Sequence, residues 1–218
     1  MNNQIVTVDF RRKNSEKMTE TLKVDDLPNR SRTANDQARG RKHLSTEEVD
    51  RICKTLRKRS RYPDRDELMV LMTFFHGFRA TEVCRTQWQH IQLRSMQLKV
   101  KRLKNGIDTT HPIANKRELM LLRRLHREQK KPSTGYVFKN ERGSAVSVNG
   151  FQQMFGKYSK IALGVQWNVH GLRHGCATIL IDRGHDLRTV QVYMGHRNIQ
   201  NTTVYLHESV KQFEKIEW

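Results

Sequence analysis

The chain has 218 residues, with 41 lysines and arginines against 22 aspartates and glutamates, a formal charge of +19 and a pI near 10.3. That length accommodates one domain plus an extension, and so large an excess of positive charge points to a polyanion as partner, DNA or RNA ahead of an anionic membrane. No apolar run reaches the roughly 18 residues of a membrane span and the start MNNQIVTVDFRRKN has no apolar signal stretch, so a soluble, cytoplasmic protein is expected.

Residues 1–43 hold few large apolar side chains and no lasting periodicity, which predicts a basic, flexible N-terminal segment. Its 10 basic and 6 acidic residues account for +4 of the charge, leaving +15 on the expected globular part, residues 44–218. There, Ser45 and Glu48 are spaced as a capping box ahead of Val49, Ile52, Cys53 and Leu56, predicting a helix of about a dozen residues. After Pro63 the dense run Leu68, Val70, Leu71, Met72, Phe74 and Phe75 predicts a nearly buried helix that stops near Gly77, and residues 79–87 read as a short third helix. The period then shortens. Ile91, Leu93, Met96, Leu98 and Val100 lie two or three apart around a turn near Arg94 and Ser95, and Asn105-Gly106 is a hairpin signal before 109–113. A small antiparallel sheet is expected, with its tip at 104–106. Helical spacing returns at 116–129, 148–162, 170–183, 187–194, 202–207 and 209–216. The fold class is α+β, mainly α-helical, without internal repeats. Cys53, Cys84 and Cys176 are too few and too far apart for a zinc site or a disulfide framework, and read as reduced thiols filling the core.

The chemistry-bearing residues gather near the end of the chain. His170-Gly171-Leu172-Arg173-His174 is followed by Gly195-His196 and by Thr203-Val204-Tyr205. A phosphodiester under attack piles negative charge on its nonbridging oxygens, and the arginine fork binds two such oxygens while staying protonated. Arg173 and, far upstream, Arg79 are the candidates; His170 lies three residues before Arg173, on the same helical face. A tyrosine with a pKa of about 10 needs about 4 kcal/mol to ionise at neutral pH, which nearby cations or a histidine base must offset.

These residues resemble the boxes of the tyrosine recombinases, the lambda-integrase family that includes the Xer proteins, and within it the short Fim-type DNA invertases of fimbrial phase variation. His170 to His174 is similar to the H-x-L-R-H box, Tyr193-Met194-Gly195-His196 to the L-G-H box, Tyr205 to the nucleophile, and the stretch from Phe75 to Val83 to the box of the first arginine. The resemblance implies a tyrosine-recombinase catalytic domain, 44–218, that cuts and rejoins DNA through a 3′-phosphotyrosyl link without ATP, cofactor or metal. It implies Tyr205 as nucleophile, Arg79 and Arg173 as oxygen clamps, His170 relaying the tyrosine proton, His196 donating to the phosphate, and a hairpin lysine protonating the leaving 5′ oxygen. Lys104 fits that last role best, with Lys101 and Arg102 as neighbours. The implied partners are double-stranded DNA with inverted-repeat sites, a homotetramer on that DNA and DNA-bending helper proteins, at the nucleoid.

Other assignments rest on position alone. Glu82, three residues after Arg79, either orients that arginine or forms a surface pair; His174 is expected to support its neighbours, and Lys101, Arg102 and Arg197 to touch DNA. Val210, Phe213, Ile216 and Trp218 form an apolar stripe that either exchanges between subunits or packs on its own domain. Two features depart from the family pattern: the separate core-binding domain of longer members has no counterpart ahead of residue 44, and Gly175 stands where a small hydroxyl residue is usual, with little expected consequence. Inversion of a DNA segment is the expected outcome; integration or excision of a mobile element, or regulation by a non-cutting protein of the same fold, are the alternatives.

Overall fold

Ser45 starts the first helix through the reciprocal pair its spacing predicts. Its hydroxyl accepts from the Glu48 N–H at 3.3 Å, while the Glu48 carboxylate accepts from the Ser45 N–H at 2.9 Å. The structure, a computed structural model, describes residues 41–103 and 106–205. Helix α1, Thr46–Arg59, turns Val49, Ile52, Cys53 and Leu56 inward. Helix α2, Pro63–His76, begins with proline at its first position, where the missing N–H would have no intrahelical acceptor. It is buried over nearly its whole length and forms the centre of the domain, packed against α1 and two later helices.

Gly77 ends α2 at φ +58, and a Cβ there would lie 2.6 Å from Met194 Sδ, so turn geometry and a close neighbour both call for glycine. Helix α3 is only Ala80–Cys84, shorter than the 79–87 predicted. The physical reason is competition for backbone groups: the Thr86 carbonyl accepts from Val137 N–H at 3.0 Å, and Trp88 N–H donates to Gly135 at 2.9 Å, drawing the chain into a bridge and a 3-10 turn at Trp88–His90.

Among the described residues one sheet forms from β1, Ile91–Gln92, β2, Gln97–Val100, and β3, Thr109–Pro112, antiparallel in the order β1-β2-β3. Leu98 stands opposite both Ile91 and His111, with Leu98 and Val100 facing the core. The predicted turn is present over residues 93–96. The predicted tip includes Lys104 and Asn105, which lie outside the described residues. Its base is tied by Arg102 N–H donating to Asp108 Oδ1 at 2.9 Å and by Lys101 Nζ on Asp108 Oδ2 at 2.6 Å.

Helices α4, Lys116–Glu128, α5, Val148–Leu163, α6, His170–Asp182, and α7, Leu187–Met194, follow the predicted spans to within a residue or so. Helix α8 is Gln200–Thr203, ahead of the predicted 202–207. The expected helix at 209–216, the apolar stripe from Val210 to Trp218 and residues 1–40 of the expected N-terminal segment 1–43 lie outside the described residues. Tyr205 closes a second, smaller apolar cluster with Cys176, Ala177, Ile181, Val190 and Met194. The three cysteines are buried free thiols, as core filling requires. No helix among the described residues is long and apolar enough to cross a membrane.

Gly175 is more than a neutral departure. A Cβ there would meet the Leu44 carbonyl at 2.5 Å and the Phe74 ring at 2.7 Å. The chain just before α1 lies over α6, with Leu44 N–H donating to the Gly171 carbonyl at 3.2 Å, and the glycine makes room for it.

Candidate active site

Helices α2 and α7 both end in a left-handed glycine, Gly77 and Gly195, and at both ends carbonyls that lack an intrahelical donor turn toward buried arginines. Arg173, on α6 and 2% exposed, donates from Nη1 to the Gly77 carbonyl and from Nη2 to the Met194 carbonyl at 2.8 Å. Arg102 lies beside it and donates to Gly77, His76 and Tyr193 carbonyls at 3.0, 3.0 and 2.7 Å. The negative ends of two helix dipoles therefore help hold two cations side by side.

Glu82 on α3 supplies the full negative charge. Its carboxylate accepts from Arg79 Nη1 at 2.7 Å, the Arg79 N–H at 2.9 Å, Arg102 Nη1 at 3.0 Å and the Leu103 N–H at 3.2 Å. Arg173 stands 4.0 Å from the same group. Burial alone would raise the Glu82 pKa, but Arg102 and the Arg79 N–H and guanidinium outweigh it and hold the carboxyl below its usual range. Among the described residues Glu82 is the one carboxylate paired with Arg79, Arg102 and Arg173, so three cations share one anion. Burial and the two neighbouring arginines push Arg173 down to about 10, which leaves it protonated at neutral pH.

Tyr205 lies against this cluster in a layer of rings. His196 stacks parallel to it at 6.5 Å and 7°, and His174 meets its edge at 5.3 Å. His170, exposed on the first turn of α6, meets His174 at 4.5 Å and reaches Tyr205 through that ring. His196 Nδ1 is 2.9 Å from the buried Thr202 hydroxyl, and Gln191 Nε2 donates to the His196 carbonyl at 3.0 Å, which fixes the imidazole. When the threonine hydroxyl donates to Nδ1, the proton of the neutral ring sits on Nε2 and can be donated there.

The structure thus brings together Arg79, Glu82, Arg173, His174, His196 and Tyr205, with His170 at the rim. It overturns the placement of Arg102 on a DNA surface: the side chain has no exposed area and every bond it makes runs to the interior. Lys101 is half exposed and paired with Asp108, and Arg197 is exposed. Sequence reasoning passed over Thr202 and a buried polar chain in which Thr109 Oγ1 is 2.8 Å from His111 Nε2, His111 Nδ1 is 3.2 Å from His76 Nδ1 and His76 Nε2 is 2.8 Å from Glu118. Tyr193 stacks on His111 at 3.8 Å. These residues come from five elements with no shared spacing, so no local pattern announces them.

Buried histidines give the domain a defined response to acid. Burial first, then neighbouring cations or histidines, lowers His111 to about 2 and His174 and His196 to about 3. A histidine of the unfolded chain protonates near 6.5, so stability is full above that pH and is lost as pH falls from about 6.5 toward 3. Each such histidine costs up to about 2 kcal/mol at pH 5. Calorimetry is expected to show a melting temperature steady from pH 8 to 7 and lower by roughly 10 °C or more at pH 5; a flat profile to pH 5 would contradict the burial of these rings.

Comparison with known proteins gives this geometry its class. Residues 42–212 match the Phage integrase family. The type 1 fimbriae regulatory proteins FimB and FimE of Escherichia coli strain K12 are 34% and 32% identical, over 68% of this chain and 76% and 77% of theirs. Tyrosine recombinase XerA of Pyrococcus furiosus is 27% identical over 80% of this chain and 60% of its own. Among solved structures, XerA recombinase superposes with a TM-score of 0.70 at 20% identity, and XerH bound to a palindromic difH substrate after cleavage with 0.65 at 22%. The matches cover 81% and 79% of this chain but only 66% and 51% of those two. The chain belongs to the phage integrase, or tyrosine recombinase, family, and its mainly helical α+β fold with a small antiparallel sheet is that of the family's catalytic domain.

Proposed function

We propose that this chain is a site-specific DNA recombinase that works through a 3′-phosphotyrosyl intermediate at Tyr205 and inverts a DNA segment. The observation that carries this reading is the cluster of half-buried Arg79 and buried Arg102 and Arg173 around the single carboxylate of Glu82, beside Tyr205 and His196. Its charge is unbalanced without an anion, and a phosphodiester supplies one. Arg79 and Arg173 clamp the nonbridging oxygens, and His196 adds a neutral N–H donor. The Tyr205 oxygen bonds to phosphorus as the bond to the 5′ oxygen breaks; His170 relays the tyrosine proton and Lys104 protonates the leaving oxygen. The bond energy is kept in the phosphotyrosyl link, so rejoining is the same step reversed.

Tyr205 and Arg173 are 3% and 2% exposed. DNA therefore reaches them after the segment carrying α8 and Tyr205 shifts, with residues 44–218 as the catalytic domain, residues 1–43 as an arm and exposed Lys101 and Arg197 on phosphates. Similarity to two fimbriae regulatory proteins over three-quarters of their length supports inversion as the outcome, on inverted-repeat sites with four copies of the chain and bending proteins assembled on the DNA. The test is a plasmid carrying two copies of the crossover region. Inverted copies are expected to yield the flipped segment and direct copies a deleted circle; joining only between separate molecules would point to integration instead.

A further inference from the structure

Arg102 occupies the junction between the two arginines that face the phosphate in the reading above. Its Nη1 binds Glu82 Oε2 at 3.0 Å, and Glu82 is the carboxylate that holds Arg79. The same Nη1 donates to the Gly77 carbonyl, which is also an acceptor for Arg173. Nη2 ties the His76 carbonyl at the end of α2 to the Tyr193 carbonyl near the end of α7, one residue before the Met194 carbonyl that Arg173 binds. Space for this arrangement is built in. A Cβ at Gly195 would lie 2.7 Å from Arg102 Cγ and Nε, and one at Gly106 would lie 2.7 Å from Arg102 Cβ.

A second fully buried cation beside Arg173, in a cluster that already repels itself, needs a reason. The distances give one: Glu82 Oε2 is 3.0 Å from Arg102 but 4.0 Å from Arg173. We infer that Arg102 is the positioning residue of the arginine clamp, holding Glu82 so that its charge orients Arg79 without neutralising Arg173. With Arg102 gone, Oε2 loses its nearest cation, and the Arg173 guanidinium, bound to the Gly77 and Met194 carbonyls, stands within about one ångström of hydrogen-bonding distance. The carboxylate swings to Arg173, and the clamp loses positive charge where the phosphate needs it. Arg102 itself touches no DNA.

This inference rests on Arg79 and Arg173 acting on the nonbridging oxygens, and its test separates the two. Full-length wild type, Arg102→Met, Arg102→Lys and Arg173→Lys are compared for strand cleavage on DNA carrying the crossover site. One substrate has an ordinary phosphate there and the other a methylphosphonate, whose methyl group replaces a charged oxygen. On phosphate, Arg102→Met is expected to cut about 10²-fold more slowly than wild type with DNA affinity unchanged, and Arg102→Lys to recover part of the rate. On methylphosphonate, which is uncharged in the ground state and has one nonbridging oxygen fewer to neutralise, the deficits of both Arg102→Met and Arg173→Lys shrink below about tenfold. If Arg173→Lys shows equal deficits on both substrates, the clamp reading falls and the inference with it. If Arg173→Lys recovers and Arg102→Met does not, the role of Arg102 is merely structural and the inference alone is overturned. Should Arg102→Met fail to fold, Arg102→Lys carries the same comparison, and equal deficits on both substrates, or none on phosphate, would overturn it.

Discussion

Glu82→Gln is expected to lower the unfolding free energy by about 3–5 kcal/mol, the cost typical of breaking a buried charge pair by removing one partner. Glutamine keeps the shape of the side chain but replaces one acceptor oxygen with an NH2 group. In the wild type both oxygens accept: Oε1 from Arg79 Nη1 and the Leu103 N–H, Oε2 from the Arg79 N–H and Arg102 Nη1. Whichever way the amide turns, its NH2 group faces two donors, and three arginines lose the negative charge they share. Many domains have only 5–15 kcal/mol in total, so the variant stands near unfolding at room temperature. Urea denaturation followed by circular dichroism measures the shift in midpoint at unchanged slope. A shift worth less than about 1 kcal/mol would mean that Glu82 pairs with its arginines no more strongly than a surface residue does.

Arg173→Lys is expected to slow strand cleavage about 10²- to 10³-fold, the usual loss for one preorganised donor at a developing oxyanion. Lysine retains a charge but not the fork. The guanidinium spans the Gly77 and Met194 carbonyls, at the ends of α2 and α7, and still has N–H groups left for a phosphate. An ammonium has three donors around one point and cannot bridge both carbonyls and bind two oxygens in one plane. The Gly77 carbonyl keeps Arg102 as a donor, whereas the Met194 carbonyl loses its partner, at about 1–3 kcal/mol. Single-turnover cleavage with saturating protein separates the chemical step from binding, and retention of DNA affinity alongside the slow step is the expected signature. A variant that cleaves at the wild-type rate would remove Arg173 from the reacting phosphate.

What was legible in the sequence is what short-range chemistry writes there. The Ser45 and Glu48 capping box, Pro63 at the start of α2, and the three-residue spacing that puts His170 and Arg173 on one helix are local, and each stands where its pattern places it. Arg102 was not legible, because an arginine beside a hairpin looks the same whether it faces DNA or the interior. Its fate is decided by carbonyls 26 and 91 residues away in the chain. The same holds for His76, whose partner Glu118 lies 42 residues on. Helix α3 stops early because residues 135–137 take its backbone groups, a tertiary pairing that helix propensity does not contain. Gly175 shows a related blindness: glycine in place of a hydroxyl residue looks like drift until the Leu44 carbonyl is found against it.

In the proposed reaction Tyr205 becomes covalently joined to DNA. The direct measurement uses DNA nicked next to the crossover, so that the released fragment diffuses away and the joined complex accumulates. Protease digestion and mass spectrometry then locate the nucleotide. The expected result is a 3′-phosphonucleotide on the peptide containing Tyr205, and a Tyr205→Phe variant that binds the same DNA with no adduct. An adduct of equal yield from Tyr205→Phe, or a linkage mapped to another residue such as Tyr193, would contradict the assignment.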